Sequence, residues 1–186
     1  MAVAQERLSP DEILERVERV LGDKVTGSRL NFGHVDVTCR PDQVVDVVTT
    51  LRDHEDTRSI FFTFLSAIDR STFGDEDAEG RGELEVLIHL YSPELIFHVN
   101  VHVPLPMEAP RCPSISGVFR GAEWHERETH EMFGIFFEGH PGLTNLYLPE
   151  DFEGRPLLKS FRLPSRFVKP WPGAKDPEEA AGGGRG

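Results

Sequence analysis

The stretch GELEVLIHLYSPELIFHVNVHVPL, residues 82–105, decides the fold of this chain because it holds two β-rich runs joined by the turn sequence SPE. In the second run the polar residues His98, Asn100 and His102 recur at every other position, so they share one face of a strand. The apolar residues between them share the other face. The stretch therefore predicts two neighbouring strands with one polar and one apolar side.

The residues before this stretch predict a helix and a hairpin. Ser9 is placed as the N-cap, Pro10 as the first helical residue and Glu12 as the third residue after the cap, which is typical of a capping box. Apolar residues then recur at helical spacing up to Gly22, so we expect a helix over residues 10–21. The runs KVTGSRL and HVDVTC alternate on either side of NFG, which predicts a β-hairpin.

A second helix and a further β-rich run complete the pattern. The segment RPDQVVDVVTTLRDH restarts a helix at Pro41, with an apolar stripe formed by Val44, Val45, Val48 and Leu51. SIFFTFLSAID predicts a strand, and the acidic, glycine-bearing RSTFGDEDAEGR predicts a solvated hairpin loop. The element order α-β-β-α-β-β-β indicates an α+β fold, a two-layer sandwich with helices packed on a mixed five-stranded sheet.

The composition restricts the possible partners. The chain has 186 residues, 38% of them hydrophobic, and a formal net charge of −12. A surface this acidic repels phosphate backbones and anionic lipid headgroups, so we expect neither nucleic-acid binding nor direct membrane insertion. No run approaches the roughly 18 apolar residues of a spanning helix, and MAVAQERLSP is too short and polar for a signal peptide. We expect a soluble, cytosolic chain that reaches a membrane only through another protein.

Metal ligands are few and poorly spaced. His98 and His102 lie two steps apart on one strand face, but no third ligand is near, which favours a polar sheet face over a metal site. Cys39 and Cys112 make no CxxC pair and cannot hold an iron–sulfur cluster or structural zinc by themselves. We expect both thiols to be reduced, because the sequence shows no secretion signal.

After a third helix, from about residue 118 or 121 to Phe133, the character of the sequence changes. Pro and Gly interrupt every few residues, yet the segment remains rich in Leu, Phe and Tyr, unlike a disordered chain. We expect an extended arm that lies against its own domain or against a partner. The predicted organisation is a head domain over 1–117, a helix with an extended docking arm over 118–172, and a disordered tail over 173–186.

The helix sequence AEWHERETHEMFGI, residues 122–135, suggests a metal site at first reading. A zinc-hydrolase helix needs two histidines four residues apart, so that both rings face the metal. His125 and His130 are five residues apart and point about 140° away from each other on a regular helix. Glu126 and His130 are spaced to pair, but one carboxylate and one imidazole do not complete a site.

Other spacings in this helix favour an interaction surface. Glu123, Arg127 and Glu131 fall on one stripe at successive i,i+4 steps and predict an ion-pair ladder. Such a ladder is typical of a solvated helix face, but the density of charge beside Trp124 and just before the arm favours an interface. A different side suits packing on a sheet and is formed by Ala122, Thr129, Met132 and Phe133.

The catalytic and nucleotide-binding motifs GxGxxG, GxxxxGK[ST] and GxSxG are missing. Residue chemistry alone therefore indicates an interaction protein with a folded head and a docking arm. Two other hypotheses stay open. One is an independent hydrolase or metalloprotein that uses His125, Glu126, His130 and His140, and the other is a standalone binding module.

The block ERETHEMFGIFFEGHPGLTNLYLPEDFEGRPLLKSF, residues 126–161, resembles the signature of the C subunit of NADH-quinone oxidoreductase, the 30 kDa subunit of respiratory complex I. The resemblance extends over about residues 10–172, and the predicted element order agrees with the fold of that family. It implies that the following residues order the partner interface: Glu126, Arg127, Glu128, Gly134, His140, Pro141, Pro149, Glu150, Asp151, Gly154, Pro156, Leu157 and Lys159.

The resemblance also implies a function. A member of this family is a non-catalytic, cofactor-free scaffold of the peripheral arm of complex I, docked in a hetero-oligomer onto the 49 kDa D subunit, the cluster-bearing B subunit and their neighbours. FMN and iron–sulfur clusters in those partners pass electrons from NADH to quinone, and the complex translocates protons. The scaffold would be peripheral on the cytoplasmic side of the cell membrane. The alternative is the equivalent scaffold of a membrane-bound hydrogenase or another quinone- or ferredoxin-linked oxidoreductase.

Five positions depart from the family pattern. Thr144, Asn145 and Leu158 stand where members usually carry basic residues. Ser160 replaces a usual Asp, and His130 takes a usually aromatic position. These departures remove several interface charges, and they are compatible with a divergent complex I or with a related assembly.

Overall fold

A mixed five-stranded sheet organises residues 8–72 and 82–163, the part of the chain that this computed structural model describes. The strands of the sheet are β1 Gly27–Asn31, β2 His34–Thr38, β3 Phe61–Asp69, β4 Glu83–Ser92 and β5 Phe97–Pro106. Their order across the sheet is β1-β2-β5-β4-β3, which confirms the predicted α+β sandwich. Most of the predicted loop RSTFGDEDAEGR, the predicted tail over 173–186 and the arm beyond residue 163 lie outside the described residues.

The pairing of the strands follows the hairpins that the sequence predicts. β1 pairs antiparallel with β2 around the NFG turn, and β4 pairs antiparallel with both β3 and β5. The parallel contact between β2 and β5, with Val37 opposite Val101, joins the two hairpin units and makes the sheet mixed. Two edge strands remain, β1 on one side and β3 on the other.

Two helices cover the apolar face of the sheet. Helix α1, Pro10–Leu21, starts at the predicted capping box: the Ser9 N–H donates to Glu12 Oε2 at 2.8 Å, and the Glu12 N–H donates to Ser9 Oγ at 3.3 Å. Helix α2, Val44–Asp53, follows a short 3₁₀ turn over Pro41–Gln43. The predicted stripe of α2 is wrong at Val45, which is exposed, because Val47 takes its place in the i, i+3, i+4 pattern of the buried side.

The hydrophobic core lies between these helices and the sheet, and it continues across residue 117 into helix α3, Ala122–Phe133. A small parallel sheet that the sequence analysis did not predict, β6 Arg111–Pro113 with β7 Phe136–Glu138, flanks α3. Cys39 and Cys112 are buried free thiols in this core. Burial raises the pKa of Cys39 to about 12 and raises that of Cys112 further.

The face of the sheet opposite the helices is polar, as the alternation predicts. His98 Nδ1 lies 3.1 Å from His89 Nε2, and His102 Nδ1 lies 2.8 Å from Glu85 Oε1. The Asn100 amide donates to Asp36 Oδ1 at 2.8 Å. None of the described helices is long and apolar enough to cross a membrane.

Candidate protein-interaction site

Helix α3 buries a carboxylate against the head of the molecule. Glu126 is fully buried; its Oε1 accepts the Ile115 N–H at 2.7 Å, and its Oε2 accepts the Ser114 hydroxyl at 2.6 Å. Burial raises the pKa of Glu126 above its ordinary value, although these two hydrogen bonds and nearby His140 partly offset the rise. The side chain ties α3 to the irregular segment after β6.

His140 fixes the start of the arm, which we define as the irregular residues 139–163, onto α3. Its Nδ1 accepts the Gly142 N–H at 2.9 Å, so the ring proton sits on Nε2. That Nε2–H donates to the Glu123 carbonyl at 3.0 Å and lies 4.0 Å from Glu126 Oε2. His140 therefore bridges the helix and the arm.

A second buried carboxylate, Glu131, binds the backbone of the arm. Its two oxygens accept hydrogen bonds from the N–H groups of Leu146, Tyr147 and Leu148. Oε2 lies 3.0 Å from the Leu146 nitrogen and 3.0 Å from the Tyr147 nitrogen. Burial alone raises the pKa of Glu131, but the three N–H donors, with Arg127, outweigh it and hold the pKa below its ordinary value. An ionised carboxylate thus pins residues 146–148 to the helix.

Arg127 binds the neighbouring turn of the arm. Its Nε and Nη2 donate to the carbonyls of Thr144 at 3.0 Å and Asn145 at 2.9 Å, and its Cζ lies 5.1 Å from the centroid of the Trp124 ring. The predicted ion-pair ladder with Glu123 and Glu131 is wrong, because the arm's backbone groups take Arg127 and Glu131 instead. Thr144 and Asn145 meet Arg127 only through their carbonyls, so their departure from the family pattern leaves this contact intact.

Three further contacts hold the arm as far as Lys159. The Leu157 N–H donates to the Met132 carbonyl at 3.2 Å, and Arg155 Nη1 donates to the Glu131 carbonyl at 3.1 Å. The Lys159 N–H donates to Asp69 Oδ2 at 2.8 Å, at the end of β3. The arm therefore lies against its own domain, which is one of the two arrangements that the sequence analysis left open.

The histidines of the metalloprotein hypothesis bind backbone groups. His125 Nδ1 lies 3.2 Å from the Leu65 carbonyl and 3.4 Å from the Leu65 nitrogen, and His130 Nδ1 lies 2.8 Å from the Ile135 carbonyl. Within residues 8–72 and 82–163, no group of three or more His, Cys, Asp or Glu side chains is arranged to hold a metal ion. The geometry favours structural roles for these rings.

Large apolar side chains on α3 and the arm point to solvent. Trp124 is 58% exposed and Tyr147 is 64% exposed. The arm adds Phe152, Leu157 and Leu163, all exposed. Rings and aliphatic groups of this size, displayed by a segment whose backbone is held in place, are typical of a protein–protein interface.

A sequence model of the family described as "Respiratory-chain NADH dehydrogenase, 30 Kd subunit" matches residues 37–167, which include α3 and the described arm. The chain belongs to this family. A curated relative, the C subunit of NADH-quinone oxidoreductase from Roseiflexus sp. (strain RS-1), is 38% identical over 156 residues, covering 84% of this chain and 86% of the relative.

Two solved structures share the fold of this family member. A trypsin-resistant fragment of Nqo5 is similar with a TM-score of 0.54 and 26% identity, covering 69% of this chain and 99% of the fragment. A chain of the membrane-bound sulfane sulfur reductase, an archaeal respiratory membrane complex, is similar with a TM-score of 0.56 and 20% identity. This similarity covers 76% of the present chain and 77% of the reductase chain, and it concerns the fold alone.

The structure divides the interface residues that the family resemblance implies into three groups. Glu126 and His140 lie inside the chain, and Gly134, with φ +82°, ends α3 in the left-handed conformation. Arg127 and Glu128 are half-buried on the outer side of α3. The remaining residues belong to the arm; Pro156 is half-buried and the others are exposed, namely Pro141, Pro149, Glu150, Asp151, Gly154, Leu157 and Lys159.

Two anchors that the sequence analysis did not assign are Glu131 as an arm ligand and Asp69. A signal for the burial of Glu126 was present, because it falls on the same helical face as Ala122, Thr129 and Phe133. No comparable signal marks Asp69, since the residue whose N–H it binds, Lys159, is 90 positions away.

Proposed function

We propose that this chain is a peripheral-arm subunit of a proton-translocating NADH:quinone oxidoreductase and that it docks onto the 49 kDa D subunit. The observation that carries the proposal is the arm: its backbone is bound by Arg127, Glu131 and Asp69, while its large apolar side chains face solvent. Membership of the family indicates the kind of complex in which we propose that the chain works, because the relatives are named as subunits of NADH-quinone oxidoreductase.

The contacts of the arm support a docking role. Arg127 and Glu131 bind backbone carbonyl and N–H groups of residues 144–148, which leaves the exposed Tyr147 side chain for a partner. A prefixed arm also loses little conformational entropy on binding, which favours affinity. Glu126, Gly134 and His140 then order the interface from inside by holding α3 and the arm together. The exposed arm residues supply the contacts themselves.

In this proposal the chain carries no redox cofactor of its own. Both cysteines are buried thiols whose pKa is raised by burial, and a thiol must lose its proton to bind iron or zinc. FMN and the iron–sulfur clusters belong to partner subunits, and this chain supports electron transfer from NADH to quinone as a non-catalytic scaffold. The B subunit, which bears a cluster, is a second neighbour.

The charge of the chain supports a peripheral place in the complex. A net charge of −12 disfavours direct contact with anionic lipid, so the proposed attachment to the cytoplasmic side of the membrane runs through the D subunit and its neighbours. The equivalent scaffold of a related membrane-bound oxidoreductase is the second candidate. The fold that the chain shares with a chain of the membrane-bound sulfane sulfur reductase is compatible with it.

A pull-down of the tagged full-length chain from detergent-solubilised membranes tests the proposal. We expect co-purification of a quinone-site subunit of the 49 kDa type and a cluster-bearing subunit of the B type, identified by mass spectrometry. Recovery of an NADH-oxidising flavoprotein in the same complex separates the first candidate from the second. Failure to recover any of these subunits, or stoichiometric zinc in the isolated chain, would contradict the proposal.

Arg127→Glu tests the docking role of the arm within the same experiment. The change removes two hydrogen bonds to the arm and places a second carboxylate near Glu131, so recovery of the complex should fall at least about tenfold. The free energy of unfolding of the isolated chain should fall by only about 1–2 kcal/mol. Loss of stability in full proportion to the loss of assembly would instead mark Arg127 as a purely structural residue.

A further inference from the structure

We propose that the cleft between α3 and the arm receives an arginine side chain of the docking partner; this inference rests on the proposed function. The cleft has a volume of about 390 Å³ and is lined by Trp124, His125, Glu128, Leu146 and Tyr147. The cleft therefore brings the Glu128 carboxylate close to the rings of Trp124 and Tyr147. Its two sides, α3 and the arm, are already held together by Arg127 and Glu131.

The carboxylate of the cleft lacks a partner. In the described part of the chain, the side chain of Glu128 is half-buried and makes neither a hydrogen bond nor an ion pair, unlike those of Glu126 and Glu131 on the same helix. A protein covering this cleft would remove water from the Glu128 carboxylate, which is unfavourable unless a cation replaces that water. The net charge of −12 further attracts a positively charged partner at long range.

The walls of the cleft suit a guanidinium group. Trp124 and Tyr147 are both more than half exposed, and the face of an aromatic ring attracts a cation. The guanidinium of Arg127 already lies 5.1 Å from the centroid of the Trp124 ring, so the chain itself contains an example of a guanidinium group next to this ring. Arginine is favoured over lysine because its planar group can stack on a ring and bind a carboxylate at the same time.

The pull-down of the full-length chain, repeated with single substitutions, tests this assignment. Glu128→Gln removes the charge and Trp124→Ala removes one wall, and each should lower recovery of the complex at least about tenfold. Glu55→Gln is the matched control for charge, because Glu55 is exposed and lies beyond α2. Phe32→Ala is the matched control for an exposed ring, since Phe32 is 99% exposed in the β1–β2 turn at the other edge of the sheet. Urea unfolding of each isolated variant verifies that it remains folded.

The outcomes separate this inference from the proposed function. If the wild-type chain recovers no complex, the proposed function fails. If the wild-type chain recovers the complex and both cleft variants recover as much as the two controls, the arginine site is overturned while the function stands. Loss of recovery with Trp124→Ala but not with Glu128→Gln would show an apolar guest and would also overturn it.

A fluorescence experiment tests whether Arg166 or Lys169 of the chain itself occupies the cleft. The sequence has two tryptophans, so Trp171→Phe leaves Trp124 as the only reporter. We expect the Trp124 emission of the free chain to be unchanged by Arg166→Gln with Lys169→Gln. A shift caused by these two substitutions in the free chain would place a cation of this chain in the cleft and overturn the proposal.

Discussion

Glu126 and Glu131 lie five residues apart on α3 and are both almost completely buried, yet their surroundings shift the two pKa values in opposite directions. Glu126 faces the head, where burial outweighs the donors around it and raises its pKa. Glu131 faces the arm, where three backbone N–H groups and Arg127 outweigh burial and lower its pKa. One helix therefore carries a carboxyl group that resists ionisation on one side and an ionised anchor on the other.

Burial of a carboxylate has two different meanings in this molecule. The head side supplies one N–H and one hydroxyl, which a neutral side chain can also satisfy. The arm side supplies N–H donors only, which need an acceptor with two equivalent oxygens. The arm therefore depends on a charge, whereas the head depends on shape and hydrogen bonding.

Glu131→Gln should produce the largest effect. The amide group would present its own N–H donors to the backbone donors of Leu146, Tyr147 and Leu148, which leaves at least one of them unsatisfied. We expect a loss of about 3 kcal/mol in the free energy of unfolding, measured by urea titration. We also expect faster tryptic cleavage after Lys159, because this residue lies on the released arm.

The control for this change is Glu128→Gln, the same substitution on the same helix at a carboxylate without a partner in the described residues. It should change the stability of the isolated chain by less than about 0.5 kcal/mol. Equal effects of the two substitutions would show that the arm does not depend on the Glu131 charge.

Gly154→Ala should produce the next largest effect and tests the far end of the arm. Gly154 has φ +101°, and an added Cβ would lie 2.9 Å from Cε2 of the Phe161 ring. Backbone strain and this clash together should lower stability by about 2 kcal/mol, or displace the arm after residue 153. Gly139→Ala is the matched control: φ is +82°, but nothing lies within 4 Å of the added Cβ, so only backbone strain remains.

Accelerated proteolysis in Gly154→Ala together with an unchanged urea midpoint would place the effect in the arm alone. If Gly139→Ala were as destabilising as Gly154→Ala, the contact with Phe161 would contribute nothing to the loss of stability in Gly154→Ala.

Glu126→Gln should produce the smallest effect at neutral pH, within about 1 kcal/mol, because glutamine retains an acceptor for Ile115 and a group that can pair with Ser114. Its pH dependence is the sharper test. A raised pKa means that the contribution of Glu126 is present below the ordinary carboxyl pKa and is lost as pH rises through its raised value. Glu126→Gln should therefore gain stability relative to wild type as pH rises.

Glu131→Gln should behave in the opposite way. A lowered pKa means that the contribution of Glu131 is present above the ordinary carboxyl pKa and is lost as pH falls through its lowered value. The deficit of Glu131→Gln should thus be largest at neutral pH and shrink in acid. Urea unfolding at several values between about pH 3 and pH 8 measures both slopes, and slopes of the same sign would remove the contrast between the two sides of α3.

Most of the fold could be predicted because its signals are local. The capping box at Ser9 and Glu12 forms as their three-residue spacing predicts, and the alternation around Asn100 places polar and apolar faces correctly. The error at Val45 arose because the choice between Val45 and Val47 depends on where the 3₁₀ turn over Pro41–Gln43 gives way to α2. A pattern of valines does not fix that point.

The candidate site was harder to predict because its bonds are long-range and involve the backbone. The spacing of Glu123, Arg127 and Glu131 is correct for an ion-pair ladder, but the arm supplies better partners 15–18 residues further along the chain. Those partners are N–H and carbonyl groups, which every residue except proline possesses in full, so no residue type marks them. Family resemblance pointed to the region, and only the three-dimensional arrangement separates internal anchors from exposed contacts.

The contact between His125 and Leu65 bears on how a damaged chain would fail. β3 is the last strand of its sheet, and the outward N–H and carbonyl groups of such a strand form a template on which a strand of another molecule can add. α3 lies along this strand, and His125 Nδ1 lies 3.2 Å from the carbonyl and 3.4 Å from the nitrogen of Leu65, so it can pair with one of these two backbone groups at a time. Detachment of α3 would therefore expose the β3 edge to strand addition by another molecule, and His125, which resembles a metal ligand in the sequence, covers part of that edge.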